Sequence, residues 1–186
     1  MHQKQILWVK TNLRFLRAST GTLRLFFVGA ALVVVVDQLS KLWVSINSAQ
    51  ISPGIQLLPG FLDLVYVENT GAIFGLFSNQ TAPLIALGIA GSLVVLLFVL
   101  HFPPALPLGT VSAALILGGQ VGNLIDRIRL GHVIDFIDIH FRELFSWPAF
   151  NVADAAITVG IFALIYFFHK WGMFNKAYEQ SGQPQN

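Results

Sequence analysis

Four long apolar runs follow one another along the chain, at about residues 22–44, 81–101, 108–127 and 152–171. Each run is about 20 residues long, which is the length that a helix needs to cross a bilayer core of about 30 Å. The pattern predicts a mainly α membrane protein with four transmembrane helices, built as a single domain over residues 1–186.

Two segments between these runs have the character of strands. The run FLDLVYV at 61–67 is rich in β-prone residues, and LGHVIDFIDIHF at 130–141 alternates between apolar and polar positions. We expect the two segments to pair into a small sheet. Between them, Asn69, Thr70 and Gly71 indicate a turn, and the aromatic residues of ENTGAIFGLF at 68–77 favour a short helix lying in the membrane interface.

The composition agrees with a membrane protein and excludes several kinds of site. Of the residues, 55% are hydrophobic and only 11% are charged, whereas roughly a quarter of an ordinary soluble domain is charged. The formal net charge is +2, but the cations lie at the ends of apolar runs and form no face that follows phosphates, so nucleic acid is not an expected partner. The chain has no cysteine, which excludes disulfides, thiolate metal sites and a cysteine nucleophile.

The distribution of cations predicts the topology. Residues 1–24 carry five lysines and arginines, while residues 45–80 carry none, so the positive-inside rule places both termini in the cytoplasm. The first apolar run follows a basic region but precedes no small-residue cleavage pattern, and we interpret it as a retained helix rather than a signal peptide. Residues 1–20 form a basic cytoplasmic arm, which either lies on the membrane surface or is a frayed tail.

This topology gathers polar groups at the outer, extracytoplasmic end of the helices. Ionisable groups beside hydrocarbon are costly, so they are usually paired, hydrated or functional. The residues that helix direction brings to this end are Asp37, Lys41, Asn123, Asp126, Arg127 and Asp154. A small sheet over the same end would bring Asp135 to Asp154. Two carboxyl groups that share a site can keep one proton between them, as hydrolysis of an amide by an activated water requires.

Structural interpretations of the same residues remain open at this stage. Asn151 and Asp154 have the spacing of a helix N-cap and its third residue. Asp126 and Arg127 suit a structural ion pair. Asp37 and Lys41, four residues apart, suit either an anchor that reaches the headgroups or a support for the site.

Other functional classes are less well supported by the pattern. A metal site made of His132, Asp135, Asp138 and His140 is disfavoured because a strand would point Asp135 away from the other three. Asp138 and His140 are instead expected to be solvated loop residues. A transporter would place acids in mid-span, whereas here the inner half of each run is apolar. A structural subunit with a polar packing cluster stays as an alternative.

Five motifs give the chain a resemblance to a known family. They are DQLSK at 37–41, ENTGAIFG at 68–75, GNLIDR at 122–127, GHVIDF at 131–136 and FNVADAAI at 150–157. Their order and spacing over about 120 residues resemble those of the lipoprotein signal peptidases, also called type II signal peptidases.

The resemblance implies a fold and an activity. The fold is a four-helix membrane bundle with a small extracytoplasmic β-cradle, in the inner membrane of a bacterium. The activity is that of an aspartic endopeptidase that cuts prolipoproteins just before a diacylglyceryl-modified cysteine, with Asp135 and Asp154 as catalytic residues and no metal or cofactor. The other partners implied are membrane lipids and globomycin-type inhibitors, and the enzyme is expected to be a monomer. The positions implied to support the dyad or to bind substrate are Asn69, Gly71, Asn123, Asp126, Arg127, Asn151, Asp37 and Lys41.

Overall fold

The structure is a computed structural model, and it describes residues 18–71, 80–101, 107–141 and 145–170. Four long helices occur in these ranges: α1 (Thr20–Ile46), α3 (Thr81–His101), α4 (Pro107–Leu130) and α5 (Val152–Lys170). All four are long and apolar enough to cross a membrane. The prediction of four membrane helices is therefore confirmed. The helices α1 and α4 extend two to three residues beyond the predicted runs at their C-terminal ends.

Helix α4 is the centre of the bundle. In its most apolar stretch 56% of the residues are buried inside the protein, against 22% or fewer in each of the other three helices. Two adjacent glycines allow α4 to pack this closely against its neighbours. A Cβ atom on Gly118 would lie 2.7 Å from the carbonyl oxygen of Ala30 in α1, and one on Gly119 would collide with the carbonyl oxygen of Ala153 in α5. The missing side chains let α4 lie in backbone contact with α1 and α5 at the same level.

A four-stranded antiparallel sheet lies at one end of the bundle, with its strands in the order β1 (Ile55–Leu58), β2 (Leu62–Asn69), β3 (Val133–Phe141) and β4 (Phe145–Ser146). The predicted pairing of the two strand-like segments is confirmed, since Val67 lies opposite Asp135 and Asn69 lies opposite Val133. A short helix, α2 (Ser48–Ile51), leads from α1 into the sheet. Of the segment predicted as an interfacial helix, Glu68 and Asn69 belong to β2, and residues 72–77 lie outside the described residues.

Two connections fix the sheet to the helices. Gly131, with φ of 82°, ends α4 in the left-handed conformation that glycine adopts without strain, and its N–H bonds to the carbonyl of Arg127 at 3.1 Å. The strand β3 therefore starts one tight turn beyond α4. Phe150, just before α5, exchanges backbone hydrogen bonds of 2.9 and 3.0 Å with Ile137 in β3. The ends of α4 and β3 and the start of α5 consequently meet.

An apolar cluster holds the sheet on the end of α1. Val44, Ile51, Ile134 and Phe136 are all buried there, and Tyr66 and Val152 pack against them. Ile134 and Phe136 are the neighbours of Asp135 along β3, and their side chains point to the opposite face of the strand. The residues on either side of Asp135 are thus fixed by apolar packing, and the position of Asp135 follows from theirs.

Candidate active site

Asp135 and Asp154 meet at the junction of the sheet and the bundle, joined by a chain of side-chain amides. Asn151 donates from Nδ2 to Asp135 Oδ1 at 2.6 Å and to Asn123 Oδ1 at 3.2 Å. Asn123 in turn donates from Nδ2 to Asp154 Oδ1 at 2.7 Å. Asp135 is 1% exposed and Asn151 is fully buried. The two carboxyl groups therefore belong to one continuous hydrogen-bond network.

The start of α5 positions Asp154. The side-chain oxygen of Asn151 accepts a bond of 2.9 Å from the N–H of Asp154, and Asp154 Oδ2 accepts one of 3.3 Å from the N–H of Asn151. This is the reciprocal capping arrangement of a helix N-terminus, which satisfies two backbone donors. The interpretation of Asn151 as an N-cap is correct, and the same residue also reaches Asp135.

Asn69, at the end of β2, holds the other oxygen of Asp135. Its Nδ2 donates to Asp135 Oδ2 at 2.8 Å, while its own Oδ1 accepts from the N–H of Gly71 at 3.0 Å. The bond from Gly71 fixes which end of the amide faces the acid. Both oxygens of Asp135 thus accept one amide donor each, and so do both oxygens of Asp154.

The surroundings favour the protonated form of Asp135. Burial, and to a lesser extent the nearby charge of Asp154, raise the pKa of Asp135 from 3.8 to about 7, against the opposing effects of the bonds from Asn69 and Asn151 and of the charge of Lys41. A carboxyl group with such a pKa holds a proton for a large part of the time at neutral pH. Two acids in one network, one of which keeps its proton, have the features needed for general acid and base chemistry.

Arg127 is the cation beside the two acids. Its Nη2 donates to the carbonyl oxygen of Gly71 at 3.2 Å and its Nη1 to the carbonyl oxygen of Asn123 at 3.5 Å. Arg127 thereby connects α4 to the end of β2. Its charge also acts on both Asp154 and Asp135.

Asp126 pairs with Lys41 of α1, at 2.8 Å, so the expected ion pair between Asp126 and Arg127 is wrong. Successive residues of a helix point about 100° apart, so the two side chains face different neighbours.

Lys41 lies at the centre of a buried ion network beneath the two acids. Its Nζ lies 2.9 Å from Asp37 Oδ2 and 2.8 Å from Asp126 Oδ2, and it donates to Asn123 Oδ1 at 2.9 Å. Lys41 is 2% exposed and Asp37 is fully buried. The pairing predicted from their spacing is correct, but burial excludes the interpretation of Lys41 as an anchor that reaches the headgroups.

The family follows from the sequence comparison. A family model described as signal peptidase II matches residues 29–170, which is most of the chain. The chain belongs to the signal peptidase II family. Lipoprotein signal peptidases are also similar along almost their whole length. That of Syntrophotalea carbinolica is 41% identical over 76% of this chain and 89% of the relative. That of Moorella thermoacetica is 38% identical over 86% of this chain and 99% of the relative.

Solved structures agree with the fold. A bacterial membrane enzyme determined by the in meso method at 2.3 Å resolution is similar with a TM-score of 0.71 and 28% sequence identity, over 87% of this chain and 95% of that one. A second such structure, at 1.9 Å, has a TM-score of 0.65. The resemblance inferred from the five motifs is therefore confirmed at the level of the signal peptidase II family and its membrane fold.

In this signal peptidase II family member, His132 and His140 lie close to acids other than Asp135 and Asp154. His140 belongs to β3 rather than to a loop, and its ring nitrogens lie 3.9 Å from Asp63 Oδ2 and 3.8 Å from Asp138 Oδ2. The expectation that Asp138 and His140 are solvated loop residues is wrong, since both are half-buried in the sheet. Within the described ranges, no group of three histidine or acidic side chains is arranged to hold a metal ion.

Sequence reasoning missed one side chain and two backbone groups of this signal peptidase II site. Gln38 donates from Nε2 to Asp126 Oδ1 at 2.9 Å and to the carbonyl oxygen of Gly122 at 3.2 Å. The backbone N–H groups of Ala153 and Ile134 bond to Asp37 and Asp126. Gln38 lies inside the DQLSK motif, where its position beside Asp37 was the available signal. No pattern in the sequence indicates the backbone bonds.

Proposed function

We propose that this member of the signal peptidase II family is an aspartic endopeptidase, with Asp135 and Asp154 as the catalytic pair. Its substrates are prolipoproteins, which it cuts just before the cysteine that carries a diacylglyceryl group. The observation that carries the proposal is the amide chain from Asp135 through Asn151 and Asn123 to Asp154. The substrate class is supported by the curated lipoprotein signal peptidases that resemble this chain.

The reaction uses one proton between the two acids. Asp135 is the favoured holder of the proton, because its pKa is raised to about 7. Ionised Asp154 takes a proton from a water molecule, and the water oxygen forms a bond to the carbonyl carbon of the substrate. Protonated Asp135 donates a hydrogen bond to the oxygen on which negative charge develops. When the C–N bond breaks, the proton held by Asp154 passes to the amine that leaves. No covalent intermediate is needed.

The other polar residues of the site serve this reaction by holding the acids. Asn69, Asn123 and Asn151 each donate to one carboxyl oxygen and so fix both carboxyl planes. Arg127 ties Gly71 to α4 and carries a positive charge that interacts with both acids. We assign these residues to support of the dyad and to binding of the peptide, with Asp37, Lys41 and Asp126 in the layer beneath.

The helix directions support a site at the extracytoplasmic face of a bacterial inner membrane. Asp37 and Lys41 lie toward the C-terminal end of α1, Asn123 and Asp126 toward the C-terminal end of α4, and Asp154 in the first turn of α5. With both termini in the cytoplasm, as the five cations of residues 1–24 favour, all of these residues lie at the outer interface. There the acyl chains of the substrate stay in the bilayer while its peptide reaches the acids. The enzyme acts as a monomer, and a globomycin-type inhibitor binds at the dyad.

Cleavage of a lipidated precursor by the purified protein tests the proposal. A diacylglyceryl-modified prolipoprotein is incubated with the enzyme in detergent, and the loss of the signal peptide is followed as a gel shift. We expect cleavage by the wild type with or without EDTA, and none of the unmodified precursor.

The variants Asp135→Asn and Asp154→Asn should fold and leave the precursor intact. Asp138→Asn is the matched control, because it removes a carboxylate from the same strand as Asp135 without touching the amide chain. Near-normal turnover by either dyad variant would disprove the assignment of the catalytic pair.

A further inference from the structure

Three buried charged residues beneath the dyad, Lys41, Asp37 and Asp126, form a network that reaches both catalytic segments. We refer to these three residues as the Lys41 network. Their side chains are 3% exposed or less, and the two ion-pair distances are 2.8 and 2.9 Å. The inference that follows rests on the proposed function, because it assigns a role in the chemistry of Asp135 and Asp154.

Each carboxylate of the network holds the backbone immediately before one of the catalytic acids. Asp37 Oδ1 accepts from the N–H of Ala153 at 2.9 Å, and Ala153 directly precedes Asp154. Asp126 Oδ2 accepts from the N–H of Ile134 at 3.3 Å, and Ile134 directly precedes Asp135. Lys41 joins the two carboxylates, so one ammonium group fixes the relative position of the backbone that carries both acids.

A second route leads from Lys41 to the carboxyl group of Asp154. Asn123 Oδ1 accepts from Lys41 Nζ at 2.9 Å, and this leaves its Nδ2 to donate to Asp154 Oδ1 at 2.7 Å. A flipped amide would point its NH₂ group at the ammonium and its oxygen at the carboxylate, losing both bonds. Lys41 therefore also selects the orientation of the amide that bonds to Asp154.

We propose that Lys41 is a positioning residue for the reaction: through Asp37, Asp126 and Asn123 it sets the separation and the hydrogen bonding of the two catalytic carboxyl groups. Stability alone does not account for such a network. Replacing a complete buried ion network by apolar side chains of similar volume is often neutral or stabilising. What an apolar replacement would not provide is the two directed bonds to the N–H groups of Ala153 and Ile134.

The packing around Asp37 supports this role. A Cβ atom on Gly122 of α4 would lie 2.6 Å from Asp37 Oδ2 and 3.3 Å from the Cβ of Ala153. The absence of a side chain at this position leaves the space that the carboxylate needs to meet Lys41 and Ala153 together. Gly122 thus offers a way to displace Asp37 while every charge in the network is kept.

Steady-state kinetics of Lys41→Met on the lipidated precursor test the proposal. Methionine keeps the length and volume of the side chain but has no ammonium. We expect kcat to fall by about 100-fold, the scale of loss caused by misplacing reacting groups by about 1 Å, and KM to change by less than about threefold. The matched control is Lys170→Met, at the opposite end of α5, where the lysine lies over the ring of Tyr166. This control should retain the wild-type kcat.

The pH profile gives a readout that a purely structural role would not change. The charged groups that act on Asp135 are Asp154, which raises its pKa, Lys41, which lowers it, and Arg127, whose charge interacts with both acids. Removing Lys41 takes away a cation, so the basic limb of the activity profile should move to higher pH. The proposal is overturned if Lys41→Met keeps kcat within about threefold of wild type, or if activity falls only in proportion to the folded fraction with the pH profile unmoved.

Gly122→Ala provides a second test of the proposal, which applies even if Lys41→Met does not fold. The added methyl group pushes the Asp37 carboxylate off Ala153 and Lys41, and we expect the same fall in kcat with little change in KM. Its control is Gly88→Ala in α3, where the new Cβ would meet Leu124 at an ordinary 3.5 Å. If Gly122→Ala has the same kcat as its control Gly88→Ala, the positioning role of Lys41 is refuted. A wild-type enzyme that cleaves no lipidated precursor would instead refute the proposed function itself, so the two failures are distinguishable.

Discussion

Asn151 and Asp154 bond to each other twice, from the side-chain oxygen of Asn151 to the N–H of Asp154 at 2.9 Å and from the N–H of Asn151 to Asp154 Oδ2 at 3.3 Å. The amide nitrogen of Asn151 is left free for Asp135, to which it donates at 2.6 Å. One residue thus starts a helix with one end of its amide and holds a proposed catalytic acid with the other. The two roles are separable by substitution.

Asn151→Ser should separate helix capping from activity. Serine caps helices about as well as asparagine, so the thermal stability of this variant should stay above that of Asn151→Ala, which loses about 1 kcal/mol with the cap. Serine has no amide to donate to Asp135, and kcat should fall by about 100-fold in both variants, as for the loss of a bond to a catalytic group. Thermal melting in detergent and cleavage of the lipidated precursor measure the two effects.

Ser19→Ala is the control for capping alone. Ser19 caps α1 by accepting from the N–H of Thr22 at 3.0 Å, far from the proposed site. Its removal should lower stability without lowering kcat. Wild-type activity in Asn151→Ser would mean that the bond to Asp135 has no part in the reaction.

The pH dependence of cleavage should have a basic limb set by Asp135. With its pKa raised to about 7, Asp135 loses its proton above neutral pH, and the pair then has no acid to bond to the developing oxyanion. We expect kcat/KM to fall as the pH rises above about 7. Bound substrate excludes water and raises this pKa further, so kcat should fall only at higher pH than kcat/KM. Initial rates from pH 5 to 9 check both statements, and a profile that rises continuously to pH 9 would contradict them.

Asp135 should also make the folded protein less stable at high pH. An acid whose pKa is raised from 3.8 to about 7 binds its proton more tightly in the folded protein than in the unfolded chain. The stability gained in this way is fully present below about pH 4 and is lost as the pH rises to about 7, and it amounts to about 4 kcal/mol.

Asp135→Asn resembles the protonated acid at all pH values and should lack this dependence. We expect the variant to melt at a higher temperature than the wild type at pH 8 and at a similar temperature at pH 4. The quantity to measure is the difference in melting temperature between the variant and the wild type as a function of pH, because the two proteins share every other titrating group. Parallel curves across this range would show that Asp135 titrates normally.

Arg127→Lys should impair the enzyme although it keeps the charge. The guanidinium reaches two carbonyl oxygens at once, those of Gly71 and Asn123, and a lysine ammonium lacks the planar fork needed for both. We expect kcat/KM for the lipidated precursor to fall by at least about tenfold, the scale of one charge-assisted hydrogen bond. Arg129→Lys, at an exposed position of the same helix, should behave as wild type. If both variants are fully active, the charge of Arg127 suffices and the fork has no role.

The sequence predicted those parts of the molecule that depend on local pattern. The length of the apolar runs predicted the four helices, and the alternation of apolar and polar residues predicted the strand around Asp135. The spacing of Asn151 and Asp154 predicted the N-cap of α5. Each of these features is set by residues close together in the chain. The predicted topology also brought Asp135 to Asp154, and the motifs added the family and the substrate class that it implies.

The parts that depend on packing between distant elements were not predictable in this way. Asp126 pairs with Lys41, which is 85 positions away in the sequence, and not with its neighbour Arg127, because helix geometry turns adjacent side chains to different faces. The bonds from Asp37 and Asp126 to backbone N–H groups depend on how closely α4 approaches α1 and α5. That approach is set by the glycines of α4, and their contacts are defined only once the helices are assembled.

The placement of Asp154 in the first turn of α5 affects the order in which the enzyme becomes active during synthesis. A chain made from its N-terminus delivers α1, α4 and the strand bearing Asp135 before α5 leaves the ribosome. Until α5 is seated, Asp37 lacks the backbone N–H of Ala153 and Asp135 lacks the amide of Asn151. Because the proposed reaction needs both acids, we expect a nascent or truncated chain to be inert until α5 is in place.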